Sequence, residues 1–165
     1  MPGAFSLEAL FPRLSLVNED ARLKVGIMSD ATNIETNERV AAYAADNEYG
    51  TRDIPSRPFL RSTFDANERR YVDFLAASMR QGADAERALR LLGEAMVGDI
   101  KISISHWETP PNSPATLADK VRRGHGTHPL RDTGSLLRSI TYRVDVGGKD
   151  DGGAQLLNAI RETLR

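Results

Sequence analysis

Apolar positions change period several times along the chain, and each change predicts an element. Leu7, Leu10, Phe11 and Leu14 stand at helical spacing, but Pro12 interrupts them and Asn18, Glu19 and Asp20 close the run, which predicts a short helix or docking arm over residues 1–20. Over residues 22–28 charged and apolar side chains alternate, with Leu23, Val25 and Ile27 on one face, as in a strand half-buried on a core. Residues 37–46 are alanine-rich with Val40, Tyr43 and Ala44 on one face, and Gly50 supplies a stop, so a short helix is expected. Pro55, Pro58 and Gly50 then impose an ordered loop over residues 50–58.

Two longer helices follow. Phe64, Val72, Leu75, Ala76 and Met79 recur at three and four over residues 59–79, and Gly82 ends the run. Asp84 is a suitable N-cap for a second stripe through Ala85, Leu89, Leu92, Met96 and Ile100. Ile100, Ile102 and Ile104 also alternate as a strand would, but no turn residue separates the two patterns after Gly98, which favours continued helix. Three prolines in residues 109–114 require a rigid loop. A two-turn helix is expected over 116–123, a short turn around Leu136 and Leu137 capped by Asp132 or Thr133, and a second strand over 139–146 through Ile140, Tyr142, Val144 and Val146. Gly147, Gly148, Gly152 and Gly153 mark a hairpin or mobile link before a terminal helix striped by Leu156, Leu157, Ile160 and Leu164. The pattern predicts an α+β fold: a small antiparallel or mixed sheet packed against two longer helices, with proline-rich projecting loops. Three segments are expected, an arm over 1–20, the α+β domain over 21–147 and a glycine-flanked helix over 148–165.

Composition narrows the class. A chain of 165 residues, 40% hydrophobic and 27% charged, suits one folded core. No cysteine is present, which removes disulfides, thiol nucleophiles, iron–sulfur clusters and cysteine-based zinc sites. The first residues lack the basic and apolar regions of a secretory signal, and no run approaches the about 20 apolar residues that span a bilayer, so a soluble, non-exported protein without membrane partners is expected. The formal charge of -1 argues against a generally basic nucleic-acid binder.

Locally the charge is segregated. Residues 116–143 carry Lys120, Arg122, Arg123, Arg131, Arg138 and Arg143 against only Asp119 and Asp132, a local charge of +4. Such a segment faces phosphates, a protein partner or solvent. His125 and His128 have metal-ligand types but lack a recognisable third ligand, so exposed loop histidines are expected and no metal or other cofactor. Asp132-Thr133-Gly134 is the tripeptide of dimeric aspartic proteases, in which two carboxylates share a proton across a dimer axis. There it follows an apolar strand, whereas here Arg131 precedes it, and capping of a helix start explains the same residues. No phosphate-binding loop, nucleophile elbow or zinc-protease motif is present, and no enzymatic activity is expected.

Four stretches, read in order, resemble one family. They are Val25-Gly26-Ile27; Ala44 through Glu48-Tyr49-Gly50 with Ile54-Pro55-Ser56-Arg57-Pro58-Phe59-Leu60-Arg61; Trp107 with Pro110-Pro111-Asn112-Ser113-Pro114-Ala115-Thr116 and Lys120; and Pro129 through Asp132-Thr133-Gly134 to Ile140. Their order, with a long helical insert in the middle, is similar to the tailed-phage virion morphogenesis or tail-completion (neck) proteins, lambda Z-like and Mu G-like. The resemblance implies a non-enzymatic α+β subunit of the virion neck or tail end, assembled in the host bacterial cytoplasm. It implies a homo-oligomer, usually a sixfold ring, between a tail-terminator or tail-tube ring and a head-closure or connector ring, with genomic DNA passing through without sequence recognition. A tail-terminator ring is the alternative within the class. On this reading the rigid loops make the contacts between subunits or partners, through Ile54, Arg57, Phe59, Arg61, Trp107, Asn112 and Pro114. Lys120, Arg122, Arg123 and Arg131 would face the DNA channel or an acidic partner.

Overall fold

A computed structural model describes residues 21–27 and 31–146. In chain order these form β1 (Arg22–Ile27), α1 (Val40–Tyr49), α2 (Phe59–Arg80), α3 (Ala85–Ser105), α4 (Pro114–Arg122), α5 (Ser135–Ser139) and β2 (Ile140–Asp145). The fold is α+β, with a two-stranded antiparallel sheet and the two longer helices, α2 and α3, packed against it. The expected arm over 1–20, the last residue of the first strand, Met28, and the glycine-flanked helix over 148–165 lie outside the described residues.

The strands pair with Leu23 opposite Val144, Val25 opposite Tyr142 and Ile27 opposite Ile140, so period-two alternation puts all six side chains on one face. A two-stranded ribbon is marginal by itself. Here α3 lies across that face and supplies the burial. Ile100 and Ile104 join Ile27, Ile140, Leu136, Phe59, Val40 and Ala44 in one core cluster, and Leu89, Leu92 and Ala88 join Val144, Tyr71 and Leu75 in a second. Phe64, on α2, packs against both. The three isoleucines at 100, 102 and 104 therefore divide by helical geometry: Ile100 and Ile104 are buried, and Ile102 points to solvent.

Two boundaries differ from expectation for local reasons. The first helix begins at Val40, later than residue 37, because Asn37 takes a left-handed turn (φ 57°) and its N–H bonds Asn33 O at 2.9 Å. The helix after the proline loop begins at Pro114 itself. Ser113 caps it by accepting from Thr116 N at 3.2 Å, and proline is tolerated at the first helical position because its missing N–H has no partner there. Asp84 caps α3 as expected, accepting from Arg87 N at 2.8 Å.

Gly93 sets how closely α3 approaches the sheet. A Cβ there would stand 2.4 Å from Tyr142 Cδ2 and 3.0 Å from Leu23 Cδ1, inside van der Waals contact. Gly98, on the same helix, has nothing within 4 Å of that position. Gly93→Ala is therefore expected to lower unfolding free energy by about 1–3 kcal/mol through overpacking, while Gly98→Ala leaves it unchanged or raises it by up to about 1 kcal/mol through helix propensity. Urea unfolding of the two variants against the parent checks the contrast.

Candidate functional site

Side chains from α1, the 50–58 loop, the 109–113 loop, α4 and the turn before α5 border a cleft of about 300 Å³. Its walls depend on three buried ionic groups. Pro58, at the start of α2, offers no side-chain cap. Glu48, 3% exposed near the end of α1, does so instead. Its carboxylate accepts from Leu60 N at 2.9 Å and Arg61 N at 3.0 Å, placing negative charge at the positive end of the helix. Arg61 turns back to it, with Nε on Oε1 at 3.1 Å and the guanidinium 4.6 Å from the centre of the Tyr49 ring.

Arg57, 4% exposed, ties the two proline-marked loops together. Nε donates to Pro110 O at 2.8 Å, Nη2 to Pro111 O at 2.7 Å and Nη1 to Asn47 Oδ1 at 2.9 Å. Lys120, 3% exposed on α4, donates to His128 O at 2.7 Å and Arg131 O at 2.5 Å. The turn between those carbonyls holds Leu130 at φ 59°, a strained conformation for a branched residue, which lets both reach one ammonium. Burial pushes Arg57 below its usual value. Burial also lowers Lys120, assisted by repulsion from Arg123, Arg57 and Arg131 and opposed by Asp132.

An ionic network closes one side of the cleft. His125 Nδ1 lies 2.6 Å from Asp132 Oδ1 and its Nε2 lies 3.1 Å from Glu35 Oε1, so each ring nitrogen faces a carboxylate. Arg123 reaches Asp132 Oδ2 at 3.0 Å, Glu35 Oε2 at 3.1 Å and Asp119 Oδ2 at 2.9 Å. Burial raises Asp132, but the hydrogen bonds from His125 and Arg123, with their charges, outweigh it and hold the carboxyl below its usual value. The tripeptide 132–134 is thus divided between two tasks. Asp132 binds His125 and Arg123 and caps nothing, while Thr133 Oγ1 accepts from Ser135 N at 3.3 Å at the start of α5.

The residues expected from sequence fall into two groups. Phe59 is fully buried in the core, and Arg57 and Lys120 are buried on the cleft wall against neutral acceptors of the loops, so none of these three side chains projects from the surface. Trp107 is half-buried and packs on the same core as Phe59, and its indole N–H has no acceptor among the described residues. Ile54, Asn112 and Arg131 line the cleft, and Asn112 donates to Thr127 O at 3.1 Å. Pro114 is exposed at the start of α4, Arg61 is half-exposed, and Arg122 is exposed beside its ion-pair partner Asp119. The histidines also separate: His128 is exposed as expected, but His125 is enclosed between Asp132 and Glu35, only 17% exposed at its side chain. No group of three His, Cys, Asp or Glu among the described residues is placed to hold a metal ion. No helix among them is long and apolar enough to cross a membrane. The roles of Glu48, Asn47 and Glu35 were not legible in the sequence, because their partners lie 10 to 90 positions away.

No family model matches the chain, and neither a curated protein nor a solved structure matches it.

Two outcomes follow from these contacts. Glu48→Ala leaves the first N–H groups of α2 without their acceptor and is expected to cost about 2–3 kcal/mol, whereas Arg61→Ala removes a half-exposed ion pair and costs about 1 kcal/mol or less; paired thermal melts measure the difference. Because Asp132 is held below its usual 3.8 in the folded chain, its stabilisation is fully present above that value and is lost as pH falls through the folded value. Asp132→Asn should therefore flatten the acid limb of the stability–pH curve in the region below pH 3.8.

Proposed function

We propose that the chain is a non-enzymatic structural subunit of the neck of a tailed phage or prophage, a tail-completion protein that joins tail to head and forms part of the DNA channel. One observation carries the reading. Two parts of that resemblance lie on either side of the long α2–α3 insert, yet Asn47, Ile54, Pro55 and Arg57 from before it and Asn112, Ser113, Thr116 and Leu130 to Leu136 from after it border the same cleft. Resemblances scattered by chance along a chain have no reason to converge in space.

Side-chain placement supports a structural role over catalysis. A dimeric aspartic protease needs its carboxylate turned toward a twin across the axis, and here Asp132 is committed to His125 and Arg123. The contact role in a ring falls to the outward side of the two loops, Arg52, Asp53, Pro55, Pro111, Ser113 and Pro114, while Arg57 and Phe59 hold those loops in shape. Loops fixed in advance lose little entropy on docking, which suits a subunit that packs against neighbours in a ring and against rings above and below. The partners proposed are further copies of this chain and the adjoining tail and head-closure rings.

Light scattering or native mass spectrometry over a wide concentration range, then repeated with isolated tails, tests the reading. The expected result is a closed ring of about six subunits that binds tail ends, or a monomer that forms the ring only on tails. A stable dimer that ignores tails overturns it.

A further inference from the structure

We propose that the cleft is a binding site for a carboxylate presented on a short peptide segment of a partner protein, received by Arg57 and Lys120 on its wall with Arg131 at its rim. The inference stands whether or not the chain is a neck subunit. Arg57 and Lys120 are 4% and 3% exposed, and neither makes an ion pair among the described residues. Charges this buried are normally matched by an opposite charge. Every acceptor they have is neutral: Asn47 Oδ1 and the carbonyls of Pro110, Pro111, His128 and Arg131.

Donor capacity is also left over. A guanidinium carries five N–H bonds and an ammonium three, and the hydrogen bonds of Arg57 and Lys120 use three and two of them. Both residues line the cleft, and Tyr43 and Thr116, which carry hydroxyls, are among its other lining residues. Burial keeps the Tyr43 phenol protonated, pushed up to about 12 against a smaller opposing pull from Arg138, so at neutral pH it remains a donor.

Size and charge select the ligand. A volume of about 300 Å³ admits a side chain and the backbone around it. Duplex phosphates lie on a convex surface and do not reach cations this deep. The lining holds Arg57, Lys120, Arg123 and Arg131 against Glu38, Asp53 and Asp132, leaving a single positive charge that one carboxylate neutralises. A polyanion would meet three carboxylates at close range.

The test is an NMR titration of the ¹⁵N-labelled full chain near neutral pH and low salt. The probes are the peptide Ac-Gly-Glu-Gly-NH2, its glutamine counterpart, inorganic phosphate and a DNA duplex. The expected result is a saturable shift of Arg57 Nε and of the Ser113 and Arg131 amides with the glutamate peptide and none with the glutamine peptide. Arg131→Glu should weaken that binding at least tenfold, and Lys120→Met should abolish it; if Lys120→Met does not fold, Arg131→Glu decides. Shifts that fail to saturate at tens of millimolar, or that are equal for both peptides, overturn the proposal. Tighter saturation by phosphate, or the same shifts produced by the duplex, overturns the assignment to a peptide carboxylate.

Discussion

One guanidinium ties together loops that lie far apart in the sequence. Arg57 reaches Asn47 behind it and Pro110 and Pro111 ahead of it, and between the two sides run the 22 residues of α2 and the 21 of α3. Each hydrogen bond to a charged group contributes about 1.5–3 kcal/mol when its partner is otherwise unsatisfied. Much of that gain is offset by taking the charge out of water. What remains is geometric: proline has no N–H with which to enter a ladder, so a loop of prolines is positioned through its carbonyls, and here both carbonyls go to one side chain. The cleft exists because that constraint places the 109–113 loop beside the 50–58 loop.

The constraint needs a rigid frame, which α3 provides. β1 and β2 stand at opposite ends of the described chain, and their pairing closes a loop of more than a hundred residues. The closure entropy of so long a loop grows only with the logarithm of its length, so a moderate burial suffices to offset it. The apolar face of the ribbon finds that burial on α3, at a distance set by Gly93. The α2–α3 pair is joined by four residues and is tied across by Tyr71 Oη on Asp99 at 2.9 Å, so it forms from local contacts and offers the strands a surface on which to meet.

Most elements were legible because period and punctuation agree. Alternation through Leu23, Val25 and Ile27, the stripe ending at Gly82, the Asp84 cap and the alternation from Ile140 each found its element. The misread helix start at residue 37 has a definite cause, since asparagine tolerates the left-handed region and nothing in the alanine-rich run announces it. The site was legible only in part. Its loops were visible as proline clusters, but the direction in which Arg57, Phe59 and Lys120 point depends on Glu48, Pro110 and the carbonyls of His128 and Arg131, which are tertiary neighbours without fixed spacing. The family resemblance, with the residue types, implied outward contacts for all three.

The basic segment shows the same limit in electrostatic form. Counted along the chain, residues 116–143 carry a charge of +4, but much of it is answered locally or from a distance. Lys120 is enclosed by carbonyls, Arg122 and Arg123 share Asp119, and Arg123 also meets Asp132 and Glu35, the last supplied from 88 positions away. Arg131 remains exposed without an ion pair among the described residues, and Arg122 stands at the surface beside one carboxylate. Affinity for nucleic acid scales with the number of phosphates neutralised, about 0.9 in log–log salt slope for each. The few cations this segment leaves at the surface, Arg122, Arg131 and Arg138, give weak and salt-sensitive attraction. For the channel role proposed above that is the useful regime, because a wall that neutralised many phosphates would hold the genome it has to let pass.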